Sequence, residues 1–424
     1  MNTREKSRAI GWQNVLKLVL LTVLLGAFAG AVIWCFLKAV GLCTGLIWEK
    51  LPGATGNRWI LIPICAAAGL VLGILHKCFG DYPEELDVVL AKIKRDKHVS
   101  YHPMFVMLVC AFIPLVFGAS VGPEAGLVGI IAALCYWVGD NVTFAKQHSA
   151  VFSEIGEAVT LGQLFHSPLF GILAVEESTD AGDRAQPMPK PYKFALYGLS
   201  TAASFGVIAL LNSLFGKAMG GFPSFSEVPV GAQDYWMLLL YIPVGCLLCL
   251  FYEKSEEVIG KFADHIPVII REILCGVVVG AMALLVPMVL FSGEEEMAEL
   301  MTDFGAYAPL FLIGVCLLKL VMTALCLKLG MKGGHFFPLI FACTAMGYGL
   351  AMLCFAAPGD HVAFAAGIVT AAALGAQMKK PLAVSVLLLL CFPARVLLWV
   401  FLAAALGAFM GNKVFPILTK QREA

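Results

Sequence analysis

The chain is predicted to be an all-α polytopic membrane protein, an inverted repeat of tilted and half-spanning helices. Three observations carry this. The 424 residues are 60% hydrophobic and only 14% charged, with mean hydropathy +0.87, where soluble domains have about 45–50% apolar and about 25% charged residues. Apolar runs recur along the whole length, among them Val15–Trp34, Trp59–Leu75, Trp236–Phe251, Ile273–Phe291 and Leu310–Leu327. Runs of about 17–25 such residues span a bilayer as helices. Third, several apolar segments begin with glycine and proline, in the same order in the two halves of the chain.

The first apolar segment continues to Ile47 without a small-residue cleavage pattern, so it reads as a retained helix, not a signal peptide. Net charge is zero, so bulk charge names no partner, but its placement gives an orientation. Arg4, Lys6 and Arg8 precede the first run. Lys92, Lys94, Arg95 and Lys97 form a second basic group, and Arg184, Lys190 and Lys193 a third. Basic segments stay in the cytoplasm, which places both termini, including Lys420–Arg422, on the cytoplasmic side of the plasma membrane. The acidic stretch Glu294, Glu295, Glu296, Glu299 and Asp303 reads as an outside loop. The fourteen cysteines are scattered through apolar runs. Cys246 and Cys249 form a C-x-x-C with no second pair and no nearby histidine, so they read as small buried hydrophobes.

The repeat is carried by SVGPEAGLVGII (120–131) and HSPLFGILAV (166–175) in the first half, and by KGGHFFPLIFAC (332–343) and KKPLAVSVLL (379–388) in the second. Pro123 and Pro168 are 45 residues apart; Pro338 and Pro381 are 43 apart. Such pairs of Pro-headed half-helices are the mark of inverted-repeat transporters. Proline favours the first helical turn, so 121–126 and 333–338 read as helix N-termini inside the membrane. Such an end exposes unpaired N–H groups and about half a positive charge. No water in the hydrocarbon core can satisfy them, and the natural ligand is an anion. One such motif alone is equally a Gly-Pro kink; two at repeat-related positions favour an anion site at mid-membrane depth.

With these motifs the chain resembles the CLC family of chloride channels and proton-coupled chloride antiporters. The family's G-S-G-I-P, G-[RK]-E-G-P and G-G-x-F-x-P signatures correspond to Phe79-Gly80-Asp81-Tyr82-Pro83, Ala119-Ser120-Val121-Gly122-Pro123 and Gly333-Gly334-His335-Phe336-Phe337-Pro338. The segment from Ser167 to Leu173, followed by Glu176 and Glu177, resembles the family's next helix, and GNKVFPIL (411–418) its last pore segment. The resemblance covers roughly residues 12–420. It implies seventeen or eighteen helices in two inverted halves, 13–215 and 216–420, after a cytoplasmic stretch 1–12. It also implies a homodimer with one pore per subunit. Only eight residues follow Pro416, so no C-terminal regulatory domain is expected.

Four family positions differ. The gating glutamate before Gly-Pro is Val121. The anion-coordinating serine aligns with Gly80, or with Asp81, and the coordinating tyrosine with Phe415. The inner proton-transfer glutamate aligns with Ser178, next to Glu177. The resemblance therefore implies a passive channel for chloride or another small monovalent anion. The anion would accept N–H bonds at Gly122 and Glu124, on either side of the pore residue Pro123, and at Gly334, His335, Phe336 and Phe337 opposite. The alternative is a proton-coupled chloride or fluoride antiporter with Glu124 as a displaced gate, since an ionisable group in a membrane is a functional suspect. The bland reading of Glu124 is a first-turn acid satisfying its own helix's N–H groups. His335 is either a pH sensor and anion donor or a packing residue. Glu177 is either a proton port or half of a structural pair with Glu176. Lys379 and Lys380 anchor at the cytoplasmic face or draw anions in. No cofactor, metal or nucleic-acid motif is present. An intramembrane protease would need a Ser/His or paired-Asp constellation, and none is seen, so the chain is not read as an enzyme.

Overall fold

The computed structural model describes residues 12–84, 101–141, 149–164, 167, 169–173, 190–218, 223–225, 227–389 and 391–420. The described chain is helical nearly throughout, without named strands. Helices α1 (Trp12–Gly45), α2 (Leu51–Thr55), α3 (Leu61–Phe79), α4 (Met104–Val116), α5 (Glu124–Asn141), α6 (Ser149–Leu164) and α7 (Lys190–Phe215) make up the first half. The second half has α8 (Ala232–Ala263), α9 (Val268–Leu285), α10 (Glu294–Asp303), α11 (Pro309–Leu329), α12 (Phe336–Cys354), α13 (Val362–Met378), α14 (Pro381–Leu388), α15 (Leu397–Phe409) and α16 (Phe415–Lys420).

Eight apolar stretches among the described residues are long enough to cross a bilayer. Others are too short to do so alone: α4 has 13 residues, α13 has 17 and α14 has 8. This is the mixture of full and partial spans that the uneven apolar runs predict. The short pieces avoid lipid because other helices cover them. Along α13 every residue from Val362 to Ala376 is buried, and α12 is buried over nearly its whole length. These two helices are among the most buried, whereas long helices such as α1 and α8 carry exposed leucines.

Between α3 and α9 small residues replace side-chain interdigitation. The carbonyl of Glu272 lies over Gly69, and that of Cys65 over Gly276, where any Cβ would overlap it. Without a hydrophobic drive between helices in lipid, such close contact supplies the association energy.

Three expectations need correction. The acidic stretch is not a loop: it forms α10, with Glu294 buried at its first position. A run of Glu at a helix N-terminus complements the backbone dipole, and Met297 and Leu300 fill the inner face. Of the four prolines of the repeat, Pro168 lies outside the described residues, and Pro123 and Pro338 are not equivalent. Pro123 lies just before α5, whereas Pro338 is the third residue of α12. Finally, Lys190 does not sit in a loop, since it opens α7; the basic residues 92–97 and Arg184 lie outside the described residues. All fourteen cysteines are free, and Cys246 and Cys249 are buried in α8.

Candidate functional site

The two glycine-rich breaks meet at the centre of the molecule. Gly122 N–H donates to the Gly334 carbonyl, and Gly334 N–H to the Gly122 carbonyl, each at 2.7 Å. This isolated antiparallel bridge holds the N-termini of α5 and α12 against each other. Here glycine is required by contact. A Cβ at Gly333 would lie 2.6 Å from Val121 Cγ2. At Gly122 or Gly334 it would overlap the Glu124 carboxyl group.

Glu124 is fully buried. It starts α5, but its carboxylate crosses to the other half of the molecule. Oε1 accepts the Phe336 N–H at 2.9 Å, and the Phe337 N–H faces the same carboxylate, as does the N–H of Glu124 itself. Oε2 is buried beside Gly122 and Gly334 without a hydrogen-bond partner among the described residues. Glu124 thus meets its own N–H, as the bland reading expects, and also reaches the N–H groups of α12. A carboxylate stands where the dipole and first-turn N–H groups of α12 favour negative charge. A free anion would have to displace it to reach Phe336 N–H.

The approaches to this point are also built. Val121 is fully buried with its side chain against Gly333. Ser120 Oγ and Thr323 Oγ1 are 3.0 Å apart, joining the loop before α5 to α11. Asp81, in the loop after α3, pairs with Lys332, just before Gly333, at 2.6 Å. The same loop is tied down by His76, whose Nε2 is 2.6 Å from the Tyr82 carbonyl. A carbonyl only accepts, so Nε2 carries the proton. Nδ1 lies 2.7 Å from Oε1 of Glu272 in α9, itself fully buried. Gly330, at φ +108°, leaves the room that Glu272 fills. Sequence reasoning missed Lys332, His76 and Glu272. The available signal was ionisable residues at the ends of apolar runs, and a lysine abutting the Gly-Gly pair.

The predicted residues therefore divide. Val121, Gly122, Pro123, Glu124, Gly334, Phe336 and Phe337 come together. His335 flanks them, its ring stacked on Tyr252 at 5.9 Å and tilted against Phe336 at 4.4 Å. Gly80 has φ +104° and caps α3 by donating to the His76 carbonyl at 3.0 Å. Phe415 is buried at the start of α16, after a π-turn packed on α13. Glu177, with Glu176 and Ser178, lies outside the described residues. Lys379 sits in the turn between α13 and α14 with φ +57°.

A family model described as Voltage gated chloride channel matches residues 68–412. The chain is 26% identical over 364 residues to chloride channel protein CLC-e of Arabidopsis thaliana, covering 77% of this chain and about half (48%) of that protein. The fold is similar to the crystal structure of a slow cyanobacterial Cl⁻/H⁺ antiporter (TM-score 0.75, 18% identity, 96% of this chain and 97% of that one). It is also similar to that of a CLC-type fluoride/proton antiporter (TM-score 0.72, 18% identity, 95% and 96%).

Proposed function

Because this chain belongs to the voltage-gated chloride channel family, we propose that it carries chloride or another small monovalent anion across the membrane along a pathway that Glu124 gates. One observation carries this reading: the Glu124 carboxylate occupies the α12 N-terminus by accepting the Phe336 N–H. A bound anion and that carboxylate need the same N–H groups, so one excludes the other. Protonating Glu124 removes the charge that holds it there and frees the site. The anion then accepts N–H bonds at Phe336 and Phe337 and leaves again because no fixed charge pair traps it.

In this reading transport is passive. Val121 carries no proton, and Glu124 acts as a gate that opens, not as a shuttle between the two sides. A second reading, proton/anion exchange, is favoured by the same geometry, since an acid that must be displaced for an anion to bind is able to carry a proton when displaced. The reading includes plasma-membrane placement with both termini cytoplasmic. It also includes a homodimer with one pathway per subunit. Cross-linking the purified protein in detergent at low concentration tests the assembly.

The deciding experiment uses purified protein in liposomes, with an imposed chloride gradient, a chloride electrode and a pH electrode. The channel reading predicts chloride efflux with no uphill proton movement. Reproducible uphill proton movement replaces it with the exchanger. No anion movement under any gradient removes the transport reading altogether.

A further inference from the structure

Lys319 lies in the middle of α11, a helix that spans the apolar layer, and is fully buried. Its Nζ donates to the carbonyls of Leu290 at 2.6 Å and Phe291 at 2.8 Å. It also sits 5.4 Å from the centroid of the Phe341 ring. A neutral amine has two N–H groups, and the two carbonyls would use both. Its lone pair would then face the negative face of an aromatic ring. An ammonium ion satisfies all three neighbours. The carboxylate of Glu296 acts on it from α10. Lys319 is therefore read as a buried cation.

Its surroundings are those of the anion site. The segment whose carbonyls it holds is hydrogen-bonded to the loop before α5, through Phe291 N–H and the Gly118 carbonyl at 3.3 Å. Gly293, two residues on, packs on Phe341, which is one turn beyond Phe337. One turn along α11 from Lys319, Thr323 meets Ser120, two residues before Gly122. Glu294, from the same segment, acts electrostatically on Glu124. The loop before α5 carries no cation of its own, since Ser120 is uncharged.

We infer that Lys319 is a specificity-determining residue for anion entry. Its charge raises the occupancy of the Glu124–Phe336 site by an anion and offsets the acids Glu294 and Glu296 on that approach. Its two hydrogen bonds hold the segment 290–293 in place. The inference rests on the anion-transport reading above.

The experiment measures initial chloride flux in liposomes against chloride concentration for wild type, Lys319→Gln and Lys319→Arg, each first checked for a monodisperse elution profile. Glutamine keeps two N–H donors for the carbonyls but loses the charge. A unit charge acting over about two helical turns at an effective dielectric of about 20 changes anion affinity roughly tenfold. The expected result is a roughly tenfold higher half-saturating chloride concentration for Lys319→Gln, with maximal flux within about twofold. Lys319→Arg stays within about twofold of wild type in both. An unchanged half-saturating concentration in Lys319→Gln overturns the inference, as does an equal loss of maximal flux in both variants with half-saturation unmoved, the mark of a purely structural peg. If neither variant yields folded protein, Glu296→Gln decides. Removing that opposing charge lowers the half-saturating concentration about twofold or more, and an unmoved value overturns the inference. Wild-type liposomes that pass no anion defeat the transport reading itself, a result distinguishable from both.

Discussion

Glu124 accepts the backbone N–H of Phe336 at 2.9 Å, across 212 residues of chain and from the opposite half of the molecule. The helix end that would hold an anion is thus held by an acid. Hydrogen bonds to a charged acceptor contribute about 1.5–3 kcal/mol, against about 1 kcal/mol for neutral pairs. The difference between ionised and protonated Glu124 is therefore enough to decide whether the site is open. Around this contact the glycines at 122, 333 and 334 leave space that no side chain could share.

Gly334→Ala tests that space directly. The new methyl overlaps the Glu124 carboxyl group, so the substitution destabilises by about 1–3 kcal/mol, the usual effect of overpacking. It lowers the thermal midpoint followed by size-exclusion chromatography. Combining it with Glu124→Ala removes the obstructing side chain and recovers most of the loss. Purely additive losses in the double variant would show that Glu124 does not occupy this space.

The missing hydroxyl donors behave differently from each other. Gly80→Ser places a side chain at φ +104° and ψ 170°, a region essentially restricted to glycine that costs other residues about 1–3 kcal/mol. It lowers stability without improving chloride binding. Phe415 has φ −58°, so Phe415→Tyr adds a hydroxyl without backbone strain. Calorimetry is expected to show several-fold tighter chloride binding, and unchanged binding would take Phe415 out of the pathway.

Asp81 gives a stability prediction with a definite sign. Partial burial pushes its carboxyl up, but the hydrogen bond and charge of Lys332 outweigh this and hold it below its ordinary value of 3.8. A depressed carboxylate stabilises the fold above its ordinary pKa and loses that contribution as pH falls through the folded value. The side chain is half-exposed, so solvent screening keeps the effect small. Acidification below about pH 4 therefore lowers the thermal midpoint slightly more in wild type than in Asp81→Asn. Identical acid profiles would mean that the pair contributes nothing.

Much of this was legible in the residues, for physical reasons. A membrane-spanning helix announces itself through a long apolar run, and Gly-Pro inside such a run marks a backbone that must find a partner. Those two rules place α1, α3, α8 and α11 and identify both breaks. The direct contact between the breaks was not legible, because nothing local to Gly122 says that Gly334 lies opposite. The partner of Glu124 was missed for the same reason: an acid in a first turn has its own N–H groups in reach, and only the tertiary bridge brings those of α12 nearer. Lys319 gave no periodic signal, since a lysine in the middle of a 21-residue apolar helix, nine residues from Lys328 in its last turn, reads as an isolated charge until its carbonyl partners are known. The helix at 294–303 was missed because its charge resembles that of a loop, while its buried face rests on only Met297 and Leu300 besides Glu294.

The central claim is that the Glu124 carboxylate competes with the transported anion, and its most direct test is chloride efflux from liposomes at neutral and at acidic pH, for wild type and Glu124→Gln. Wild-type flux is expected to rise on acidification, because protonation releases the carboxylate from Phe336. Glu124→Gln, without the charge, is expected to be about tenfold faster than wild type at neutral pH, the equivalent of about 1.4 kcal/mol, and insensitive to pH. A Glu124→Gln protein that matches wild type at neutral pH and keeps its acid response would contradict the account, leaving Glu124 as a structural cap on α12 and the gate elsewhere.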